Sequence, residues 1–243
     1  MKIPLTKFIA SAGVCSRRKA EELIRNSIST YRVLVNKEPA TLGMTVSEED
    51  EVMVDKQVLS QCKKIYLIIN KPKGYTCTNE VFKGEKNVFS LLPNDLRQEK
   101  LFAVGRLDKD SRGLLILTND GDWAQQLTHP RFNHEKVYQV LVKKRDSKVR
   151  SNPLIELKKG VDIGEDDGRV KAKQIEFVQE SSDSIIFRLV ISEGKKRQIR
   201  RMFAAISWEV VDLWRIKIGN ISLGNLYDGK WRFLSEREIR LQA

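Results

Sequence analysis

Asp108 and Asp110 are the residues in this chain best placed to do chemistry. They lie in the loop Gly105-Arg106-Leu107-Asp108-Lys109-Asp110-Ser111-Arg112-Gly113. An apolar run of strand length, Leu101 to Val104, precedes the loop. A second run, Leu114 to Leu117, follows it and is closed by the turn signal Asn119-Asp120-Gly121. Catalytic carboxylates are often presented in this way, on a short loop held by a rigid scaffold. Three chemistries are open to the pair. One carboxylate can act as base or nucleophile. The two together can hold magnesium for phosphoryl transfer. Both can instead bond only backbone amides in an Asx-type turn, which is the simplest reading of the loop by itself. The magnesium reading lacks a phosphate-cradling glycine-lysine loop and further carboxylates at fitting spacing.

Other reactive side chains are sparse. Cys15, Cys62 and Cys77 form no Cys-x-x-Cys pair, so neither a disulfide framework nor a zinc site is expected. His129 and His134 are the only histidines and give thin support to a Ser/His/Asp triad. The richest basic stretch is Glu193-Gly194-Lys195-Lys196-Arg197-Gln198-Ile199-Arg200-Arg201-Met202-Phe203. On a helix, Ile199, Met202, Phe203 and Ile206 form one apolar stripe. Lys196 and Arg200 then flank it one turn apart, with Arg197 and Arg201 pointing further away. That puts Arg200 at the border of core and solvent, suited to a half-buried ion pair.

Composition bounds the partner. The chain has 243 residues, 41% of them apolar, enough for one or two domains with real cores. Lys plus Arg number 44 against 32 Asp plus Glu, a formal net charge of +12. Such a balance points to a polyanion, with nucleic acid ahead of an acidic membrane surface. No apolar run reaches the roughly 18 residues of a spanning helix, and Met1 to Leu5 lacks the apolar core of a signal peptide. A cytoplasmic protein is expected.

The elements that must position these residues can be read in order. Leu5, Phe8, Ile9 and Ala12 have helical spacing, with Gly13 as stop. Ser16 reads as the N-cap of a second helix, from about Arg17 to Asn26. Its first turn, Arg17-Arg18-Lys19, is basic, which opposes the helix dipole unless a phosphate binds there. A solvated basic face is the plainer alternative. Strands follow at Val33 to Val35 and Glu51 to Asp55, then a polar linker at residues 56–64. Tyr66 to Asn70 is a strand running into the turn Lys71-Pro72-Lys73-Gly74-Tyr75. A short helix is expected at Asn87 to Leu92, another at about Asp122 to Leu127, and a strand at His134 to Val142. In that strand Lys136, Tyr138, Val140 and Val142 share a face. Residues 143–173 read as surface loops and weak strands. Strands are expected at Ser184 to Ile191, Val210 to Ile216 and Trp231 to Leu234, and Ser235 with Glu238 reads as a capping box.

Four motifs in order resemble the RsuA family of bacterial rRNA pseudouridine synthases. The first is Asn70-Lys71-Pro72 with Gly74. The second is Gly105-Arg106-Leu107-Asp108, then Ser111, Gly113-Leu114-Leu115 and Leu117-Thr118-Asn119-Asp120-Gly121. The third is Lys136 with Tyr138, and the fourth is the Glu193 to Met202 stretch. The resemblance implies that Asp108 is the essential catalytic residue and gives Asp110 no role. It implies that Tyr138 stacks on the target base, that Arg200 pairs with Asp108, and that Leu213 lines the pocket. Arg106 becomes a candidate for holding the displaced RNA backbone, since the target must be flipped out. Lys136 joins the substrate-binding set.

Residues 2–58, with Cys15-Ser16-Arg17-Arg18, Ala20-Glu21 and Ile24, resemble the S-four-like (alpha-L) RNA-binding domain. Arg17, Arg18 and Lys19 are then RNA contacts. The glycine usual before its first strand is absent; Asn26 to Arg32 stands there instead.

The implied fold is α+β. An S-four-like domain is expected over 1–60, and a catalytic domain with a mixed, largely antiparallel sheet and a central cleft over 61–243. Ribosomal RNA is the expected partner, large-subunit over small-subunit. The protein is expected to act as a monomer without metal, cofactor or membrane. A non-catalytic RNA-binding or ribosome-assembly factor is the alternative.

Overall fold

The structure is a computed structural model and describes residues 2–78, 84–146, 148–164 and 166–241. Two compact units divide the chain. One comprises Met1–Ile65 with Gln98–Lys100 and Asn119–Gly121; the other holds the rest.

The first unit packs helices Leu5–Ser11 and Arg17–Arg25 on a four-stranded antiparallel sheet. Leu5, Phe8, Ile9, Ala20 and Ile24 meet Val33, Val35, Val52 and Val54 in its core. Ser16 caps the second helix, its hydroxyl accepting from the Lys19 amide at 3.3 Å. The stretch read as a linker contributes one strand, Gln57–Val58, which pairs with Val52–Val54. Its polar, exposed residues hid an edge strand. Where the expected glycine is missing, Tyr31 takes the left-handed backbone itself, with φ 51° and ψ 29°. The turn is therefore kept, at the roughly 1–2 kcal/mol that a β-carbon costs in this region.

The second unit is built on nine strands, labelled here in chain order: β1 Tyr66–Lys71, β2 Phe102–Val104, β3 Arg112–Thr118, β4 Lys136–Lys144, β5 Gln174–Glu180, β6 Ile185–Ile191, β7 Trp208–Ile218, β8 Ile221–Ser222 and β9 Trp231–Phe233. The sheet order is β5-β6-β4-β7-β3-β1-β9, with β2 on β3 and β8 on β7. Every pairing is antiparallel except β3 with β7. The expected mixed, largely antiparallel sheet is the one observed.

Helices α1 Gly121–Thr128, α2 Pro153–Lys159 and α3 Gln198–Ala205 cover this sheet. Trp123, Ala124 and Leu127 of α1 pack with Ile68, Leu114 and Ile116. Ile199, Met202 and Phe203 of α3 pack with Tyr138, Val140, Phe187 and Leu213. β3 is buried along nearly its whole length, which explains its unbroken apolar run.

Two expectations fail here. The region read as loops and weak strands contains α2, started by Asn152, whose side chain accepts from the Leu154 amide, and by Pro153. That Asn-Pro pair was the missed signal. The basic stretch is also not helical from Lys196: α3 begins at Gln198, and Arg197 precedes it in a left-handed conformation, φ 50°. No helix of the described residues is long and apolar enough to cross a membrane.

Candidate active site

The Asp108 loop is a hairpin connection. β2 and β3 pair Phe102 with Thr118 and Val104 with Ile116, so residues 105–111 form the link. The Ser111 amide donates to the Asp108 carbonyl at 3.0 Å and the Gly74 amide to the Lys109 carbonyl at 2.7 Å. Ser111 itself is buried. Gly113 follows because nothing larger fits. Its φ is 110°, and a β-carbon there would lie 2.2 Å from the Arg215 carbonyl oxygen. This close approach is where β3 meets β7 in parallel, Gly113 beside Arg215.

Beneath the loop lies a buried lysine. Lys71 is fully buried, and its ammonium donates to the carbonyls of Ser111 at 2.5 Å and Pro72 at 3.1 Å. Burial pulls its pKa down; Cys77, Asp110 and Asp108 pull it partly back. A cavity of about 930 Å³ opens above the loop, large enough for a nucleoside. Its lining includes Lys73, Cys77, Arg106, Asp108, Asp110 and Arg197. The Cys77 thiol donates to the Leu107 carbonyl at 3.3 Å.

The expected pairing of Arg200 with Asp108 is not the one observed. Arg200 reaches Asp110, with Nη2 at 3.3 Å from Oδ2 and 3.1 Å from the main-chain oxygen. Its Nη1 donates to the Val210 carbonyl at 3.0 Å. Asp108 is approached by Arg197, 3.9 Å from Oδ2. Arg197 also grips Asp110 with both terminal nitrogens, at 3.1 and 3.0 Å. The reason is the late start of α3. The left-handed residue before the helix turns Arg197 inward, whereas a helix running through Lys196 would have turned it away. Asp110, left without a role by the resemblance, is thus the hub of the ion pairs. Burial pushes its pKa up, and Arg197 and Arg200 more than reverse that, leaving it below the ordinary value. The Asp110 bonds in turn raise the Arg197 pKa.

A second ion cluster stands at the start of β3. Asp212 takes Arg112 at 2.8 Å and Lys73 at 2.8 Å, and Arg112 lies 4.5 Å over the Trp214 ring. Burial raises the Asp212 pKa, but the two cations bring it below the usual range.

The cavity therefore gathers Asp108, Arg106 and Arg197, with Arg200 behind Asp110. Tyr138 and Leu213 are not in its lining. They are 7% and 6% exposed and belong to the same buried cluster as Leu107. Lys136 points to the Ser192 and Glu193 carbonyls at 3.4 and 3.5 Å; burial and Arg215 lower its pKa. Arg17, Arg18 and Lys19 are exposed on the first unit. Sequence reasoning missed Arg197, Lys71 and Arg215. Period-two alternation from Leu213 would have placed Arg215 on the same face.

A hairpin-borne aspartate beside an arginine thus lines a nucleoside-sized cavity on this mixed sheet. A family model described as RNA pseudouridylate synthase matches residues 65–205, and one described as S4 domain matches residues 3–52. The chain belongs to the RNA pseudouridine synthase family, as the Asp108 motif led one to expect. It is 39% identical to an uncharacterized RNA pseudouridine synthase of Aquifex aeolicus, across 98% of this chain and 93% of that one. It is 38% identical to the ribosomal large subunit pseudouridine synthase B of Bacillus subtilis, across 98% and 95%. Against the dual-specificity RNA pseudouridine synthase RluF of Escherichia coli it is 34% identical, across 98% and 77%. A crystal structure of a pseudouridylate synthase superposes with a TM-score of 0.65 at 32% identity, covering 99% of this chain and all of that one.

Proposed function

We propose that this protein isomerises a uridine to pseudouridine in ribosomal RNA, with Asp108 as the catalytic residue. The observation that carries the reading is the placement of Asp108. It sits half-buried on a braced hairpin loop, lines a cavity of about 930 Å³ and has the Arg197 guanidinium 3.9 Å away. Isomerisation requires the uracil to leave its ribose, turn and rejoin through carbon. A group must act at the glycosidic bond, and walls must retain the detached base. Asp108 serves as the first. The Arg197 guanidinium, 3.9 Å from its Oδ2, is the cation that faces this carboxylate.

Tyr138 and Leu213, buried with Leu107 and outside the cavity lining, keep only the base-stacking and pocket roles that the family motif implies. Arg106, exposed at the cavity, holds the displaced backbone. Arg200 acts through Asp110 and positions the loop. Lys136, Arg17, Arg18 and Lys19 add cations for phosphate. The domain boundary falls near residue 60, with binding ahead of it and chemistry after it. Large-subunit rRNA is the favoured substrate, supported by the likeness to the large-subunit synthase of Bacillus subtilis.

The test is pseudouridine mapping in rRNA with and without the gene, joined to single-turnover assays of Asp108→Asn on the mapped fragment. The variant should fold and bind RNA yet form no product. Full turnover by Asp108→Asn would sink the assignment of the catalytic residue, and an unchanged pseudouridine map would sink the rRNA target.

A further inference from the structure

Arg215 is 3% exposed, on β7. Its Nε donates to the Leu114 carbonyl at 2.8 Å and its Nη1 to the Arg106 carbonyl at 3.2 Å. Those two carbonyls lie on opposite sides of the Asp108 loop. One guanidinium thus ties the entry and the exit of the hairpin connection together. Its Nη2 is buried and has no hydrogen-bond partner among the described residues.

The setting makes this arrangement unfavourable in itself. The acceptors of Arg215 are neutral carbonyls, and its charge depresses the pKa of two further cations, the buried Lys71 and the half-buried Lys136. A buried cation with a donor left unmade is destabilising by ordinary rules. A neutral donor could brace two carbonyls with a smaller desolvation penalty. A planar fork, however, fixes two acceptors in one plane at a set spacing, which no flexible donor does. What the fork fixes here is the main chain two residues before Asp108.

Its own place is equally determined. Arg215 is the direct cross-strand partner of Tyr138, and Leu213 that of Val140. Antiparallel partners share a face, so Arg215 and Tyr138 lie on the same side of the sheet, next to the irregularity at Val137/Tyr138. The backbone of Arg215 meets Gly113 so closely that no β-carbon fits between them. Arg215 therefore refers the Asp108 loop to the strand pair that carries Tyr138 and Leu213.

We propose that Arg215 is a positioning residue for the reaction, holding Asp108 at a fixed offset from the Tyr138 face through the Arg106 and Leu114 carbonyls. The proposal rests on Asp108 being the catalytic residue. It predicts that loosening the fork lowers kcat and leaves RNA affinity alone.

The test uses full-length Arg215→Met and Arg215→Lys. Each is measured for thermal unfolding, binding to the rRNA fragment, kcat and KM, and hydrogen exchange at the Ser111 amide, which closes the loop on the Asp108 carbonyl. Arg215→Met should bind RNA as wild type, exchange faster at Ser111 and lose kcat by ~100-fold at unchanged KM, the loss expected when a reacting group is displaced by ~1 Å. Arg215→Lys keeps the charge without the fork and should fall between the two. Wild-type kcat in folded Arg215→Met overturns the proposal. So does a loss confined to KM, which would make Arg215 an RNA contact. If Arg215→Met does not fold, Arg215→Lys decides: undiminished kcat with wild-type exchange overturns the proposal. Should wild-type protein itself form no pseudouridine, the functional reading fails separately, and unchanged exchange at Ser111 in the variants would still overturn the bracing role.

Discussion

Two regions of this molecule concentrate positive charge, and they use it differently. At the start of the helix Arg17–Arg25, the residues Arg17, Arg18 and Lys19 stand exposed. Around the Asp108 loop, Arg197, Arg200, Lys71 and Arg215 are committed to named oxygens, and the last two are buried. Water screens exposed charges of this kind, so that they act diffusely. Burial leaves Lys71 and Arg215 no such freedom. A desolvated cation must find acceptors, and finding them fixes the backbone that carries those acceptors. The same residue types stand solvent-facing in one place and set backbone geometry in the other.

Breaking the geometry at its tightest point should have the largest effect. Gly113→Ala puts a β-carbon 2.2 Å from the Arg215 carbonyl oxygen and 2.8 Å from its nitrogen, at φ 110°. We expect a loss of about 4 kcal/mol in denaturant unfolding, in the range reserved for backbone strain and overpacking. A loss below about 1 kcal/mol would show that β3 and β7 part easily.

The arginines come next. Arg200→Ala and Arg197→Ala should each reduce single-turnover rates by about 10- to 100-fold, because Asp110 is left short of a cation. Arg200, the more buried, should also cost stability, whereas Arg197 should not. Double-mutant cycles with Asp110→Asn should show coupling for both. Coupling of Arg200 to Asp108 but not to Asp110 would restore the pairing expected from the motif.

Tyr138 separates packing from contact. Tyr138→Ala should lower turnover and also destabilise the unit by roughly 3 kcal/mol, as for other buried aromatics. Tyr138→Phe should keep stability and RNA binding while turnover falls. Equal turnover by Tyr138→Ala and wild type would remove the stacking role.

On the other side of the comparison, replacing Arg17, Arg18 and Lys19 together by Gln should leave kcat unchanged and flatten the salt dependence of rRNA binding. The slope should drop by ~0.7–0.9 for each phosphate that the variant no longer neutralises. An unchanged slope would mean that this face is merely solvated.

The smallest effect concerns pH. Glu238, held by Arg232 at 2.7 Å and by Ser235, has its pKa lowered from 4.5 to about 2. A depressed carboxylate stabilises the fold above its unfolded pKa and loses that contribution as pH falls through the folded one. Stability supplied by this pair should therefore be complete above pH 4.5 and fade towards pH 2. Glu238→Gln should cost about 1 kcal/mol at neutral pH and blunt that acid transition. An identical acid transition in Glu238→Gln would remove the pair from the account.

The capping box at Ser235 and Glu238, the N-cap at Ser16 and the strands β1, β3, β4, β6 and β7 were legible because each is set by local rules. These rules are side-chain periodicity, a hydroxyl three residues from an amide, and a run of branched apolar residues. The family was legible too, since its motifs are short and ordered along the chain. Which arginine meets which aspartate was not. That depended on a single left-handed residue, Arg197, whose φ of 50° shifts the helix start and turns its own guanidinium inward. Nor could the sequence announce that Lys71 and Arg215 lie beneath the loop. Their acceptors are main-chain carbonyls, which carry no residue identity and come within reach only once β3 has paired with β1 and β7. The sequence by itself determined most of the strands, the family and the candidate carboxylate. The tertiary structure decided the partners of that carboxylate's loop, because long-range pairing alone brings a buried cation to a backbone oxygen.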